Sequence, residues 1–317
     1  MDSETLSEQR SSAAAPHLAL IAVQLFFGTW PIFGKIALRA LPSTGIVAFR
    51  IGGAAVAFSI LQKLIGRVQK VRKGDYLRLA LSSLLGVVFN QLLFVKGLSY
   101  TTVINATLIG TTIPVFTLIF SIAFGYDLLS WRKALGIVLA ACGVIYLVDP
   151  LRSNFSHETT LGNLLIVANS ISYGAYIAIS QDLVKRYGAL TFITWVFVIG
   201  SIVTIPISVW TLRGVPLLQI SAGVWLAVLY IILIPTVGAY YLNGWALARV
   251  APSTVAVYIY LQPLMAFALA PLILGEQLNS RIWVASLLIF AGVAIVTLRT
   301  RSRVMEEVSE HPDALSH

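Results

Sequence analysis

One stretch of this chain is present twice. Moved forward by 149 positions without a gap, Gly97–Pro150 falls on Ala246–Arg299. Pro114 then meets Pro263, Asp127 meets Glu276, Arg132 meets Arg281 and Gly143 meets Gly292. A repeat this long marks two copies of one structural unit. Each copy consists of two long apolar segments joined by a short polar turn, so the duplicated unit is one that dissolves in lipid.

The rest of the chain has the same character. Hydrophobic residues make up 58% and charged residues 11%, against roughly 45–50% and 25% in soluble domains. Mean hydropathy is +0.86. A water-facing surface could not be covered from so small a polar supply, so the chain is expected to be an all-α integral membrane protein. About 20 apolar residues cross a bilayer as a helix. By that measure ten segments span it: 18–38, 45–63, 76–95, 102–124, 132–149, 161–184, 189–211, 221–246, 253–273 and 282–299. Each is too long and too uniformly apolar for a barrel strand.

Lys and Arg at the segment ends set the expected orientation. With the N-terminus inside, the Lys63–Lys73 run, Arg132, Lys133, Lys185, Arg186 and Arg299 are cytoplasmic, and Arg39, Lys96, Arg152, Arg213 and Arg281 are outside. Both termini are then cytoplasmic. Residues 1–17 form a cytoplasmic tail, 18–149 a first five-helix repeat, 150–160 an extracytoplasmic linker, 161–299 a second repeat and 300–317 a cytoplasmic tail. The N-terminal residues lack the basic region of a signal peptide, so the first apolar segment is expected to be retained. Five is odd, so the second copy enters the membrane inverted relative to the first. Inverted repeats suit a transporter, because equivalent halves can exchange conformations about a central site.

The net charge of +9 is accounted for by these segment ends and does not point to nucleic acid. The four His residues lie outside the apolar segments and Cys142 is the single cysteine, so no metal, haem or other cofactor is expected.

Ten helices in a 5+5 repeat, the Phe49-Arg50 pair early in helix 2, and the Pro114 and Pro263 segments resemble the EamA-domain permeases of the drug/metabolite transporter superfamily. The resemblance covers about residues 18–299. It implies an inner-membrane transporter, often an exporter of amino acids or other small metabolites. One departure stands out: Lys35 on helix 1 has no basic counterpart near Ile179–Gln181 on helix 6.

Several residues are candidates for contact with a transported solute. Pro114 and Pro263 each remove a backbone donor in mid-segment, which frees the carbonyls of Gly110 and Ile259 and kinks the helix. Thr111, Thr112 and Gln262 beside them bond either a substrate or the freed backbone. Lys35 and Arg50 are cations within spans, where a charge faces a cavity or finds a partner. Two roles stay open for them: an ion pair with Asp149 or Glu276, or the binding of a substrate carboxylate. Trp30, Tyr173, Tyr176, Tyr240, Tyr258 and Tyr260 are aromatic residues expected near mid-depth. Asn90, Gln91 and Asn105 are amides whose bland reading is an interhelical hydrogen bond. Gly52-Gly53, Gly136, Ala140 and Gly143 are expected to let helices approach closely.

No span carries a central Asp or Glu, and no P-loop GxxxxGK[ST] is present, so nucleotide-driven transport by this chain alone is excluded. The expectation is a secondary transporter, working as a monomer or homodimer on a small-molecule substrate across the lipid bilayer. The rivals are a membrane-embedded transferase, which lacks a His or central carboxylate here, and a scaffold or sensor, which would show a dry centre.

Overall fold

The computed structural model describes residues 3–65, 69–125, 128–148, 157–247, 258–259 and 261–297, and among these every regular element is helical. In chain order they are α1 (Ser3–Ala37), α2 (Ser43–Ile65), α3 (Tyr76–Ser83), α4 (Asn90–Tyr100), α5 (Val103–Gly110), α6 (Ile113–Ala123), α7 (Trp131–Val148), α8 (His157–Leu212), α9 (Ala222–Ile232), α10 (Ala239–Leu247), α11 (Leu261–Leu274) and α12 (Ser280–Thr297). A π-helical turn, Leu84–Phe89, joins α3 to α4, and another, Leu233–Gly238, joins α9 to α10. Helix α8 is two helices meeting at Gly188, whose φ of 73° is one that glycine adopts freely.

Among the described residues seven segments are long and apolar enough to cross a membrane: Ala15–Ala37, Ser43–Ile65, Lys73–Tyr100, Val103–Ala123, Thr159–Ser180, Asp182–Leu212 and Ala222–Asn243. Leu261–Leu274 and Ser280–Ile295 are shorter apolar helices. The ninth expected span is described only from Tyr258 on. Large apolar side chains stand on the outer surface, with Leu272 82% and Trp210 74% exposed. That is the surface of a protein dissolved in lipid, and the chain is a multi-pass membrane protein.

The 149-residue register extends beyond the matching sequence. The two π-turns differ by that offset at both ends, and so do α7 and α12. Close contacts recur with the copies exchanged. A Cβ on Gly143 would lie 2.7 Å from Ile289, and one on Gly292 would lie 2.5 Å from Ala140, the partner positions shifted by 149. Gly28 of α1 meets Met265 of α11, while Gly174 of α8 meets Phe116 of α6; Met265 and Phe116 are 149 apart, and the two glycines 146. Small residues at these crossings let backbones approach.

Pro114 stands at a break between two helices rather than at a kink inside one. Helix α5 ends at Gly110, Thr111 and Thr112 form a turn, and Pro114 is the second residue of α6. Pro263 is the third residue of α11, after a turn in which Gln262 N–H donates to the Ile259 carbonyl at 3.1 Å. In a first helical turn the missing donor has no partner to lose, which is why proline is tolerated there.

Candidate functional site

Arg50 is the buried cation of this bundle. It lies on α2, 4% exposed, among partners drawn from helices of both copies. Its Nε donates to Thr236 Oγ1 at 2.7 Å, and its Nη1 donates to Gln91 Oε1. The guanidinium carbon stands 4.2 Å above the Trp30 ring, a cation–π contact, and Trp30 in turn stacks on Phe94 at 6.0 Å. Tyr173 and Tyr240 lie within its electrostatic reach.

The two π-turns explain the position of these partners. A π-turn adds a residue to a helical turn and leaves carbonyls without their usual donors. In the first turn, Ser172 Oγ donates to the Leu85 carbonyl at 2.8 Å, and Asn169 Nδ2 donates to the Asn90 carbonyl at 2.7 Å. Both donors come from α8. Gly86 lets α8 approach, since a Cβ there would come within 2.3 Å of the Tyr176 ring. Gln91 follows directly and points to Arg50.

In the second turn Pro235 has no N–H for the carbonyl of Ile231, four residues back. Thr236 Oγ1 donates to that carbonyl at 2.8 Å and accepts from Arg50 with its lone pair. One hydroxyl therefore closes the break and holds the cation. Gln91 and Tyr240 are 149 positions apart, so corresponding positions of the two copies stand by the same guanidinium.

Arg50 makes no ion pair with Glu276. The Glu276 carboxylate accepts from Val103 N–H at 2.7 Å and Ile104 N–H at 3.0 Å, capping the start of α5. Asp149, the other expected partner, lies outside the described residues. Lys35, half-exposed, is in the electrostatic field of Glu276 and does not join Arg50.

The other candidates stand in several places. Trp30, Gln91, Tyr173, Tyr176 and Tyr240 gather around Arg50 or directly behind it, with Tyr173 and Tyr176 5.3 Å apart. Asn90 contributes its carbonyl to the first π-turn. Thr111 and Thr112 are buried and donate to the carbonyls of Leu108 and Ile109 at 2.7 and 2.6 Å, so their hydroxyls mend the helix break. Asn105 stands in the first turn of α5, its N–H donated to the capping Thr102 hydroxyl at 3.1 Å. Gln262 donates to Gln24 at 2.7 Å, a polar clasp between α11 and α1.

Tyr258 is not near mid-depth. Its hydroxyl is 2.8 Å from Nδ1 of the exposed His17, at the start of the first apolar span. Tyr260 lies outside the described residues. Sequence reasoning missed Thr236, Phe94 and Gln24. Thr236 carried the one readable signal, a hydroxyl directly after a proline inside an apolar segment.

Comparisons with known proteins agree with this architecture. The EamA-like transporter family matches residues 15–148 and again 160–298. An uncharacterized transporter of Archaeoglobus fulgidus is 25% identical over 284 residues, covering 89% of this chain and 97% of the relative. The WAT1-related protein At3g18200 of Arabidopsis thaliana is 24% identical, covering 94% and 86%. A protein named probable terminal-alkyne amino-acid exporter, from Streptantibioticus cattleyicolor, is 24% identical, covering 86% and 90%. A solved crystal structure with 16% identity superposes with a TM-score of 0.64 over 90% of this chain and 98% of that one, a likeness of fold. Matched twice along its length by one family model, this multi-pass membrane protein belongs to the EamA-like transporter family, within the drug/metabolite transporter superfamily.

Proposed function

We propose that the chain is a secondary transporter that exports a small polar or amphipathic metabolite, such as an amino acid or a related solute, by alternating access. Ten spans form two five-helix halves of opposite topology in the cytoplasmic membrane, with both termini in the cytoplasm. The observation that carries this reading is the buried Arg50, held by Gln91 from one half and Thr236 from the other, each beside a π-turn at corresponding positions. Two halves that share one cation can release and re-form these bonds when they move against each other. A charge kept inside a membrane protein with no carboxylate partner among the described residues is a functional-site hypothesis by default. The curated relatives named as transporters support the same class.

The test is counterflow in proteoliposomes holding the purified protein and a panel of amino acids, their derivatives and amphipathic organic acids. Accumulation of labelled solute driven by unlabelled internal solute is expected. A panel that shows no protein-dependent flux under any imposed gradient refutes the reading.

A further inference from the structure

The charge of the solute can be read from what surrounds Arg50. Arg50 is a formal cation, and no described carboxylate touches it. Glu276 caps α5, Asp75 is engaged by Arg186 and Tyr187 at another place in the bundle, and Asp182 is exposed. Guanidinium groups carry five N–H donors. Two are used, on Thr236 and Gln91. Among the described residues only the hydroxyls of Ser82 and Thr107 are buried polar side-chain atoms without a partner. Among the described residues no further hydrogen bond engages the Arg50 guanidinium.

The Trp30 ring lies on one side of the guanidinium, and Tyr173 and Tyr240 lie within its electrostatic reach. Phe94 stacks on Trp30, and Tyr176 lies 5.3 Å from Tyr173. Among the described residues the surroundings supply a fork of donors, hydroxyls and rings, and no anion to receive an ammonium group.

From this we infer that the site takes an organic monoanion, a carboxylate on an aromatic or apolar body, in preference to a zwitterion or a cation. The carboxylate completes the charge balance of Arg50 and accepts from its open donors, the pairing for which a planar fork is suited. The apolar body lies on the aromatic surface. An ammonium group brought to the same place meets a fixed positive charge and no counter-ion. This narrows the proposed function, and it rests on Arg50 facing the transported solute.

The experiment uses four probes of one shape and different charge: 3-phenylpropionate, phenylalanine, phenethylamine and the neutral 3-phenylpropanamide. Binding to the purified full chain in detergent is measured by calorimetry at neutral pH. The expected order is 3-phenylpropionate tighter than phenylalanine by about tenfold or more, with the amide and amine weaker still, as a desolvated charge pair requires. Arg50→Gln abolishes the preference for the anion, and Arg50→Lys restores part of it. The wild-type series alone decides the matter if Arg50→Gln fails to fold. Equal or tighter binding of phenylalanine, the amine or the amide overturns the inference, as does binding of none of the four. Counterflow separates the two readings. Flux of phenylalanine or phenethylamine without preference for the anion sinks this inference and leaves the transporter standing. Tight binding of 3-phenylpropionate with no flux of any solute does the reverse.

Discussion

Gly292 packs backbone to backbone against Ala140. A Cβ on Gly292 would lie 2.5 Å from the Ala140 nitrogen and 2.6 Å from the Gly136 carbonyl oxygen. Neither atom is the end of a flexible side chain, so the helices must part if a methyl group is added. The exchanged contact, Gly143 on Ile289, fixes α7 against α12 a second time.

Gly292→Ala is therefore expected to destabilise the protein by about 1–3 kcal/mol, the usual range for overpacking. The thermal midpoint in detergent should fall, and gel filtration should show more aggregate. Gly223→Ala is the control, since nothing lies within 4 Å of the added atom. An unchanged midpoint for Gly292→Ala would mean that α7 and α12 do not touch as described.

Glu276 ties the α11–α12 connection to the start of α5. Its two oxygens each accept one backbone N–H, from Val103 and Ile104. The negative charge also sits where the helix dipole is positive. Glu276→Ala leaves both donors open and is expected to cost about 1 kcal/mol, as lost helix caps do. Glu276→Gln keeps one acceptor and should cost less. Thermal unfolding of the two variants gives the order, and Gln less stable than Ala would refute the capping role.

Asp75 holds the other tie between distant segments. Its Oδ2 accepts from Arg186 Nη1 at 2.6 Å and from Tyr187 at 2.5 Å, while the Tyr187 hydroxyl accepts from Arg72 N–H at 3.1 Å. The segment before α3 is thus fastened to the α8 turn beside Gly188. Asp75→Ala should speed amide hydrogen exchange in residues 71–78 and 185–190 together. Asp75→Asn, whose amide oxygen still accepts from Tyr187, should speed it less. Exchange rising in one segment alone would show that the two are not coupled through Asp75.

Much of the fold was legible because lipid imposes a simple rule on sequence. Uniform apolarity over spanning length demands helix, so the segments followed from hydropathy, and the repeat followed from Pro114, Gly143 and their twins. Arg50 stood out as a charge inside a span, although its partners did not. An ion pair and the binding of a carboxylate were both open for it, and among the described residues the guanidinium meets a hydroxyl, an amide and an aromatic face. The first π-turn, all apolar, left no mark in composition, and the second left only Pro235 and Thr236. Tyr258 was misplaced for a related reason. Distance along the chain measures depth only when the helix start is known, and the contact with His17 puts Tyr258 at the end of the bundle. Thr111 and Thr112 were open to bonding either a solute or the freed backbone, and their hydroxyls donate to the Leu108 and Ile109 carbonyls.

Thr236 is where these threads meet, and its substitution separates packing from chemistry. The hydroxyl accepts from Arg50 Nε and donates to the Ile231 carbonyl that Pro235 leaves without a donor. Thr236→Val keeps the shape and removes both bonds. The residue is fully buried, so water cannot replace them, and each unmet group costs about 1–3 kcal/mol. Thr236→Ser keeps the hydroxyl and loses one methyl. Transport by Thr236→Val is expected to fall by about tenfold or more at equal membrane abundance, because a loosened guanidinium no longer presents its open face in one orientation. Thr236→Ser should retain most of the activity. If valine transports as well as threonine, the hydroxyl has no part in positioning Arg50. If serine fails as badly as valine, the methyl group matters as much as the hydroxyl.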